Sequence, residues 1–235
     1  MLSTLRPRIS VLALLAALGF LAGPGIGAAR ADDPPANPKD GDKPSDKPSD
    51  KPKDDKPADG EKKKEEPAKA PDFTLKDLDG KERKLSEFVG KWVVLEWMNF
   101  KCPYVKKHYA KGDMQALQKK YTDKGVIWLS ICSSADGKEG FLSVEDWKKA
   151  VAEKKAVPTA LLPDADGKVG HLYNARTTPD MRIVDPKGNL VYTGAIDDTK
   201  DAKADPAKCK NYVAEALDAA LAGKPLPTPS TTSYG

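Results

Sequence analysis

One of the three cysteines in the chain is placed for chemistry. Cys102 follows the apolar run Trp92–Met98 and directly precedes Pro103, which is preorganised for the first turn of a helix. A thiol at a helix N-terminus meets unpaired backbone N–H groups and the positive end of the helix dipole, and both favour the thiolate. Positive side chains that could add to this effect are Lys101, Lys106, Lys107 and His108. The pattern predicts a nucleophilic cysteine, and the alternative is a small buried residue.

An acid and an amide shortly before Cys102 could assist it. Glu96 shares one face of the expected strand with Val94 and Met98, where burial would raise the pKa of its carboxyl toward the range that suits proton transfer. Glu96 could equally be a remnant with no role in catalysis. Asn99 could hydrogen-bond a substrate group, and a loop-capping role is an equal alternative.

The other two cysteines occupy less telling positions. Cys132 ends the next apolar run, Val126–Cys132, and the ends of parallel strands gather at the sheet edge where Cys102 should also lie. Cys132 is therefore a candidate resolving thiol, with a plain core residue as the alternative. Cys209 lies one helical turn before Val213 on the expected last helix, so it is predicted to be a structural core residue.

The elements that must position these residues alternate between strands and helices from Pro71 onward. The predicted strands are Phe73–Leu75, Lys81–Leu85, Trp92–Met98, Val126–Cys132, Thr159–Leu162, Met181–Asp185 and Leu190–Thr193. The predicted helices run from Pro103 to about Tyr121 and from Ser143 to about Lys155, and a last helix has Asp205 as N-cap and Gly223 just beyond its end. Turns at Asp77–Gly80 and Pro186–Gly188 predict hairpins. Crossovers through helices and a closing hairpin predict an α/β domain with a central mixed sheet and helices on both faces.

Short motifs occur along this domain in a recognisable order. They are Ala70–Leu75, Asp79–Lys81, Leu85, Gly90–Lys91, Val93–Trp97, Cys102–Val105, Thr178–Pro179 and Asp185–Gly188. In this order they resemble the thioredoxin-like superfamily, in its redoxin or alkyl hydroperoxide reductase/thiol-specific antioxidant (AhpC/TSA) branch, from Ala70 to about Gly223. The resemblance implies a thioredoxin-like fold in which a cis-proline, Pro179, faces Cys102 and shapes a groove, with Glu96 at the position of a buried acid.

The chain departs from the standard motifs of that superfamily. Val105 stands where thioredoxins have the second cysteine of C-x-x-C, which leaves a single-cysteine C-P-Y-V motif with Pro103 and Tyr104 at the helix start. Leu95 and Asn99 replace the proline and threonine of the peroxiredoxin pattern P-x-x-x-T-x-x-C, and Pro179 stands in place of its arginine. Relatives can carry a further cysteine after a C-terminal Tyr-Gly pair, and we expect that resolving thiol to be absent or removed here.

The first 70 residues are predicted to lie outside the fold. Two arginines precede the apolar run Val11–Leu21, which leads to the small-residue triplet Ala29–Ala31; this predicts a secretory signal peptide over residues 1–31, with an uncleaved anchor as the alternative. Residues 32–70 are rich in lysine, aspartate and proline and have no aromatic or β-branched side chain, which predicts a disordered linker. The domain would then span residues 71–226, followed by a disordered tail over 227–235.

Composition excludes several classes of protein. The 235 residues include 39 Lys and Arg against 35 Asp and Glu, a formal charge of +4. The predicted signal accounts for most of that charge, so no nucleic-acid partner is expected. Three cysteines are too few for a disulfide scaffold, and no apolar run after the signal is long enough to span a bilayer.

Together with the resemblance, these patterns predict a secreted or periplasmic thiol oxidoreductase that needs no metal or cofactor. The Cys102 thiolate would attack a disulfide-bearing protein or a small peroxide, and Cys132, an external thiol or a membrane reductase would clear the intermediate. One alternative is a degenerate thioredoxin-fold binding module that uses the groove around Tyr104 and Pro179. Another is a Cu(I) chaperone, with a copper site of Cys102, Met98 and a histidine, either His108 or His171.

Overall fold

A computed structural model describes residues 67–235, so the predicted signal peptide and most of the predicted linker lie outside the described residues. The strands are β1 (Thr74–Lys76), β2 (Glu82–Lys84), β3 (Val93–Trp97), β4 (Ile127–Cys132), β5 (Ala160–Pro163), β6 (Asp180–Val184) and β7 (Leu190–Gly194). The helices are α1 (Pro103–Ala110), α2 (Asp113–Thr122), α3 (Val144–Lys154), α4 (Lys168–Leu172) and α5 (Tyr212–Leu221). Single 3₁₀ turns cover Leu85–Phe88 and Pro206–Lys208.

The central sheet is mixed and has five strands in the order β5-β4-β3-β6-β7. Strand β3 pairs in parallel with β4, and β4 pairs in parallel with β5. On its other side β3 pairs antiparallel with β6, which turns back into β7. The first two strands form a separate antiparallel hairpin. This is the thioredoxin-like α/β arrangement that the sequence predicted.

Both faces of the sheet are covered, because successive strand residues point to opposite sides. On one face Val94 and Trp128 pack with the buried residues of α1, α2, α3 and α5. On the other face Leu95 and Leu129 pack with Phe88, α4 and the first hairpin. The cysteine-bearing loop therefore leaves a sheet that is held rigidly from both sides.

The single helix predicted from Pro103 to about Tyr121 is instead two helices, which corrects that expectation. Gly112 adopts a left-handed backbone conformation (φ 87°) between α1 and α2. Glycine enters this region without steric cost, so it breaks the helix and redirects the chain. Helix α1 is consequently a short element of eight residues that begins directly after Cys102.

The last helix also begins later than predicted. Asp205 and Pro206 start only a 3₁₀ turn, whereas α5 begins at Tyr212 with the side chain of Asn211 accepting a hydrogen bond from the amide of Ala214. Cys209 therefore does not lie on the helix face expected from its spacing. It is half-buried in the connecting loop, and its thiol donates to the carbonyl oxygen of Asp205.

Residues beyond the predicted domain also pack on it. The amide of Leu190 donates to the carbonyl oxygen of Ala68, so the chain pairs with β7 a few residues before Pro71. At the other end, the amide of Thr231 donates to the carbonyl oxygen of Thr193, and Tyr234 is buried. The last nine residues are thus ordered against the domain, which corrects the expectation of a disordered tail over 227–235.

Between residues 67 and 235, no helix is both long enough and apolar enough to cross a bilayer.

Candidate active site

Cys102 lies at the N-cap of α1, shortly after β3 ends. Its backbone is extended (φ −61°, ψ 128°), and the helix begins at Pro103. The residue is half-buried, and its thiol donates to the carbonyl oxygen of Thr178 across 3.0 Å. The peptide bond between Thr178 and Pro179 is cis. The fold thus brings Cys102 and Pro103 close to the Thr178–Pro179 loop, which lies more than 70 residues later in the chain.

The side chain of Asn99 holds the loop that carries Cys102. The backbone carbonyl of Asn99 accepts from the amide of Cys102, and its Oδ1 accepts from the amide of Lys101 at 2.7 Å. Its Nδ2 donates to the carbonyl oxygen of Glu139. Gly140 lies so close to this amide that an added Cβ would overlap with it. Both polar ends of Asn99 are therefore engaged in the loop-capping role, the second of the two alternatives for this residue.

Glu96 is fully buried in β3, and all its polar neighbours are hydrogen-bond donors. The donors are Trp128 Nε1 at 2.7 Å, Ser130 Oγ at 2.7 Å, Gln118 Nε2 at 3.2 Å and the Tyr109 hydroxyl at 3.2 Å. Burial raises the pKa of the Glu96 carboxyl, and the four hydrogen bonds oppose that rise without cancelling it. Because its donors come from α1, α2 and β4, Glu96 ties the elements around the site together.

The positive charges around Cys102 are fewer than the sequence predicted. Lys107 is buried and pairs with Asp197, with 3.0 Å between its Nζ and Oδ2 of the carboxylate. His108 is also buried, and burial together with the neighbouring Lys107 lowers its pKa to about 4, although Asp197 opposes that shift. His108 is consequently neutral near pH 7, which corrects the expectation that it adds charge. Only Lys101 and Lys106 remain exposed near the start of α1.

Cys132 is the last residue of β4 and is only 3 % exposed. Its thiol donates to the carbonyl oxygen of Gly140 at 3.7 Å, whereas Cys102 points to Thr178. Burial raises the pKa of the Cys132 thiol. The two thiols thus have different partners, and both are free.

A cleft of about 290 Å³ opens between the end of β3 and the loop before Pro179. Residues that line it include Trp97, Asn99, Ser133, Arg176, Thr178 and Gly235. The hydroxyl of Thr177 is buried beside it and has no hydrogen-bond partner. The cleft therefore offers polar groups to a substrate next to the residue that Cys102 contacts.

Two functional candidates were missed by the sequence reasoning. Asp197 pairs with Lys107, and Tyr234 from the C-terminal segment hydrogen-bonds to both of them through its hydroxyl. The ring of Tyr234 also packs edge-on against Tyr104, two residues after Cys102, with 5.4 Å between ring centroids. Tyr234 is the single aromatic residue after Tyr212, and that was the available signal.

The two histidines considered for copper lie in different surroundings. Met98 is buried in the core. His108 is also buried, and its Nε2 lies 3.6 Å from the carboxylate of Asp197, which pairs with Lys107. His171 is on α4, which packs on the opposite face of the sheet. Within residues 67–235 no group of three or more histidine, cysteine or acidic side chains is arranged as a metal site.

Comparison with characterised proteins gives a consistent set of relatives. The chain is 28% identical over 141 residues to the thiol-disulfide oxidoreductase ResA of Bacillus thuringiensis, which covers 60% of this chain and 76% of that protein. It is 30% identical over 124 residues to the thioredoxin-like protein YneN of Bacillus subtilis, covering 53% of this chain and 68% of the relative.

Solved structures extend the similarity over more of the fold. An uncharacterized conserved protein from Geobacillus kaustophilus superposes with a TM-score of 0.61 at 28% identity, covering 71% of this chain and 86% of that one. A hypothetical protein from Sinorhizobium meliloti superposes with a TM-score of 0.60 at 27% identity, covering 71% and 91%. Residues 67–193, which include Cys102 and the Thr178–Pro179 loop, match the AhpC/TSA family. The chain therefore belongs to the AhpC/TSA family.

Proposed function

We propose that this protein is a thiol–disulfide oxidoreductase that works outside the cytoplasm with Cys102 as its nucleophile. The observation that carries the proposal is the half-buried thiol of Cys102 at the start of α1, 3.0 Å from the carbonyl oxygen of Thr178. A helix N-terminus stabilises a thiolate. The similarity to two proteins named for thiol–disulfide or thioredoxin-like activity supports this chemistry. The predicted signal peptide supports the location.

The proposed reaction is a series of three thiol–disulfide exchanges. The Cys102 thiolate attacks one sulfur of a substrate disulfide, a mixed disulfide forms, and the other substrate sulfur leaves as a thiolate that takes a proton. A second thiol then attacks the sulfur of Cys102, so that the remaining substrate sulfur also leaves as a thiolate and takes a proton. A third thiol attacks the sulfur of the second one, which releases the Cys102 thiolate and joins the two donor thiols in a disulfide. The substrate disulfide gains the two electrons that the two donor thiols lose. Disulfide-bearing proteins are the substrate class that we infer.

We infer that the second thiol comes from another molecule. Val105 occupies the position of a second cysteine in α1, and Cys132 is buried against Gly140. For Cys132 to attack, its strand end would have to open, because only its thiolate reacts and burial raises its pKa. An external thiol or a membrane-bound reductase is therefore the proposed electron donor.

The neighbouring side chains would serve as positioning residues in this scheme. Glu96 holds Tyr109 of α1 to the sheet, and Asn99 fixes the backbone of the loop before Cys102. Pro179 directly follows Thr178, whose carbonyl oxygen the thiol contacts, and Tyr104 lies in the first turn of α1. Removing any of these residues should affect the rate through the placement of Cys102.

Peroxide reduction is the second candidate chemistry, because residues 67–193 match the AhpC/TSA family and the resemblance of the sequence to that branch implied a peroxide as one possible substrate. In that reaction the thiolate would take one oxygen from the peroxide, forming a sulfenic acid and releasing an alcohol or water. Two groups that could polarise a peroxide are already engaged: Asn99 caps its loop, and Arg182 of β6 is paired with Asp180. The geometry thus favours the disulfide substrate.

The proposal is tested by comparing Cys102→Ser with the matched control Cys132→Ser. We expect Cys102→Ser to lose disulfide reduction by at least about a hundredfold, since the nucleophile is removed, and Cys132→Ser to stay within a few-fold of the parent. Consumption of an external thiol with insulin as substrate measures this. Retention of full activity by Cys102→Ser would refute the proposal, whereas absence of activity from the parent protein would favour a non-catalytic binding module.

A second measurement separates the two substrates. The protein is treated with one equivalent of hydrogen peroxide or of glutathione disulfide, and its mass is recorded. We expect a glutathione adduct on Cys102 and little gain of oxygen. Rapid gain of one oxygen on Cys102 at low peroxide would instead assign the peroxide reaction, and a Cys102–Cys132 disulfide would make Cys132 the resolving thiol.

A further inference from the structure

The C-terminal segment, residues 227–235, reaches the site from the far edge of the sheet. It runs beside β7, where the amide of Thr193 donates to the carbonyl oxygen of Pro229 at 3.2 Å and the amide of Thr231 donates back to Thr193 at 3.0 Å. The Thr231 hydroxyl accepts from the amide of Ala195 at 2.8 Å and bonds the hydroxyl of Tyr192. Gly194 leaves no space for a Cβ against Thr231. The segment is therefore fitted closely to β7.

A buried polar cluster then anchors the segment beside α1. The hydroxyl of Tyr234 donates to Asp197, and Nζ of Lys107 lies 3.2 Å from the same hydroxyl. Nζ of Lys107 also lies 5.3 Å from the centre of the Tyr234 ring. Tyr234 is 7 % exposed, and burial raises the pKa of its phenol. The hydroxyl therefore stays protonated and donates its hydrogen bond to Asp197. The hydroxyl of Tyr234 is thus held by the ion pair of Lys107 and Asp197, to which the proposed reaction assigns no role.

Beyond the anchor, the segment touches both elements that flank Cys102. On one side the Tyr234 ring packs on Tyr104. On the other side Gly235 lies against the backbone of Thr178, because an added Cβ would come within 2.5 Å of its carbonyl oxygen and 2.6 Å of its amide nitrogen. That carbonyl is the one that accepts from the Cys102 thiol. The thiol and Gly235 thus lie against the same peptide group.

We propose that residues Tyr234 and Gly235 determine substrate size, by forming a wall that admits small disulfides to Cys102 and excludes extended polypeptide until the segment is displaced. An extended polypeptide substrate would form backbone hydrogen bonds beside the thiol. The Thr178 peptide group lies there, and the C-terminal segment covers it. A small disulfide needs only the sulfur to be reached. This inference rests on the proposed function for its substrates, but access to the thiol can be measured without turnover.

The experiment compares two maleimides that differ only in size. N-ethylmaleimide and a polyethylene-glycol maleimide of several kilodaltons are reacted with the full chain in a Cys209→Ser background, and modification of Cys102 is followed by peptide mapping. The readout is the rate with the large reagent divided by the rate with the small one. Because this ratio cancels the reactivity of the thiol, it reports access to Cys102 alone.

Two variants displace the segment in different ways. Gly235→Ala places a methyl group against the Thr178 backbone and leaves the anchor untouched, so it should fold normally. Tyr234→Ala removes the anchor. We expect the size ratio to rise by roughly threefold or more in Gly235→Ala, where the added methyl group clashes with the Thr178 backbone, and by roughly tenfold in Tyr234→Ala, where buried contacts are lost. Both changes raise the population of molecules whose segment is undocked. Thr232→Ala, at an exposed position of the same segment, is the matched control.

The outcomes separate this inference from the proposed function. An unchanged size ratio in both variants would overturn the wall, whatever the activity of the protein. A raised ratio supports it, and the same variants should then reduce insulin faster relative to glutathione disulfide. Activity that survives Cys102→Ser would refute the proposed function while leaving the ratio as a valid measure of the segment.

Discussion

Cys102 and Cys132 lie at the same end of the neighbouring parallel strands β3 and β4, yet their burial and their hydrogen-bond partners differ. Cys132 still belongs to β4 and is buried, with its thiol directed to the carbonyl oxygen of Gly140. Cys102 stands a few residues beyond the end of β3, begins α1 and is half-buried beside Thr178. The difference shows that reaching the same sheet edge does not make two cysteines equivalent. What matters is whether the residue is still held in a strand or has passed into the loop that starts a helix.

The largest effect that we expect from this difference is in alkylation. Cys102 should react with iodoacetamide at least about a hundredfold faster than Cys132, because a buried thiol reacts only when its surroundings open and burial raises its pKa. Peptide mapping after short exposure measures both rates in one sample. In denaturant the two rates should converge, which provides the control. Equal rates in the folded protein would contradict the contrast between the two sites.

A smaller effect is expected on stability, and in the reverse order. Cys132→Ser should lower the free energy of unfolding by about 1–3 kcal/mol, because it puts a hydroxyl into a buried site where the hydrogen-bond acceptor of the thiol, the carbonyl oxygen of Gly140, is 3.7 Å away. Cys102→Ser should change it by less than about 0.5 kcal/mol, since serine is a favourable N-cap and the site is half-exposed. Urea unfolding of both variants provides the comparison. A larger loss in Cys102→Ser would mean that Cys102 is the structural residue.

The smallest effect concerns Glu96, which lies in β3, the strand that leads to Cys102 and pairs with the strand that ends at Cys132. The folded pKa of Glu96 is raised by burial, so the folded state holds a proton that the unfolded state releases above the ordinary carboxyl pKa of 4.5. The contribution of Glu96 to stability is therefore full at low pH and declines as pH rises toward the folded pKa. Glu96→Gln should remove that decline while changing the labelling of Cys102 by less than about threefold.

The measurement for Glu96 is urea unfolding at a series of pH values between about 4 and 8. Exposed Glu153→Gln serves as the matched control and should leave the pH dependence as it is. If Glu96→Gln instead slowed Cys102 labelling strongly and left the pH dependence of unfolding intact, Glu96 would act on the thiol rather than on the fold.

The sheet could be predicted from the sequence because its strands are continuous apolar runs between turn residues. Val93–Trp97 and Ile127–Cys132 are examples, and turns such as Asp77–Gly80 fixed the hairpins. The helix limits were harder to predict. Gly112 acts as a break only because its backbone is left-handed, and Asn211 competes with Asp205 as a cap. Local residue types allow either result, and tertiary packing decides between them.

The site was predictable where it depends on a motif and not where it depends on long-range packing. Cys102, Pro103 and Pro179 carry local or family signals, so their meeting could be foreseen. The buried pair of Lys107 and Asp197 joins residues 90 positions apart, and neither has a distinctive neighbour in the sequence. The polar composition of the C-terminal segment likewise predicts disorder. Only the structure shows that Tyr234 is buried and bonds to Asp197.

The outer edge of β7 has a further consequence for the behaviour of the protein in concentrated solution. An uncovered edge strand offers a row of free amides and carbonyls, and such rows let identical chains add to one another and aggregate. Here residues 68–70 pair with the beginning of β7, and residues 229–231 pair with its end. The two short segments shield most of that row from solvent. Residues from both ends of the domain thereby act as built-in protection against edge-to-edge association.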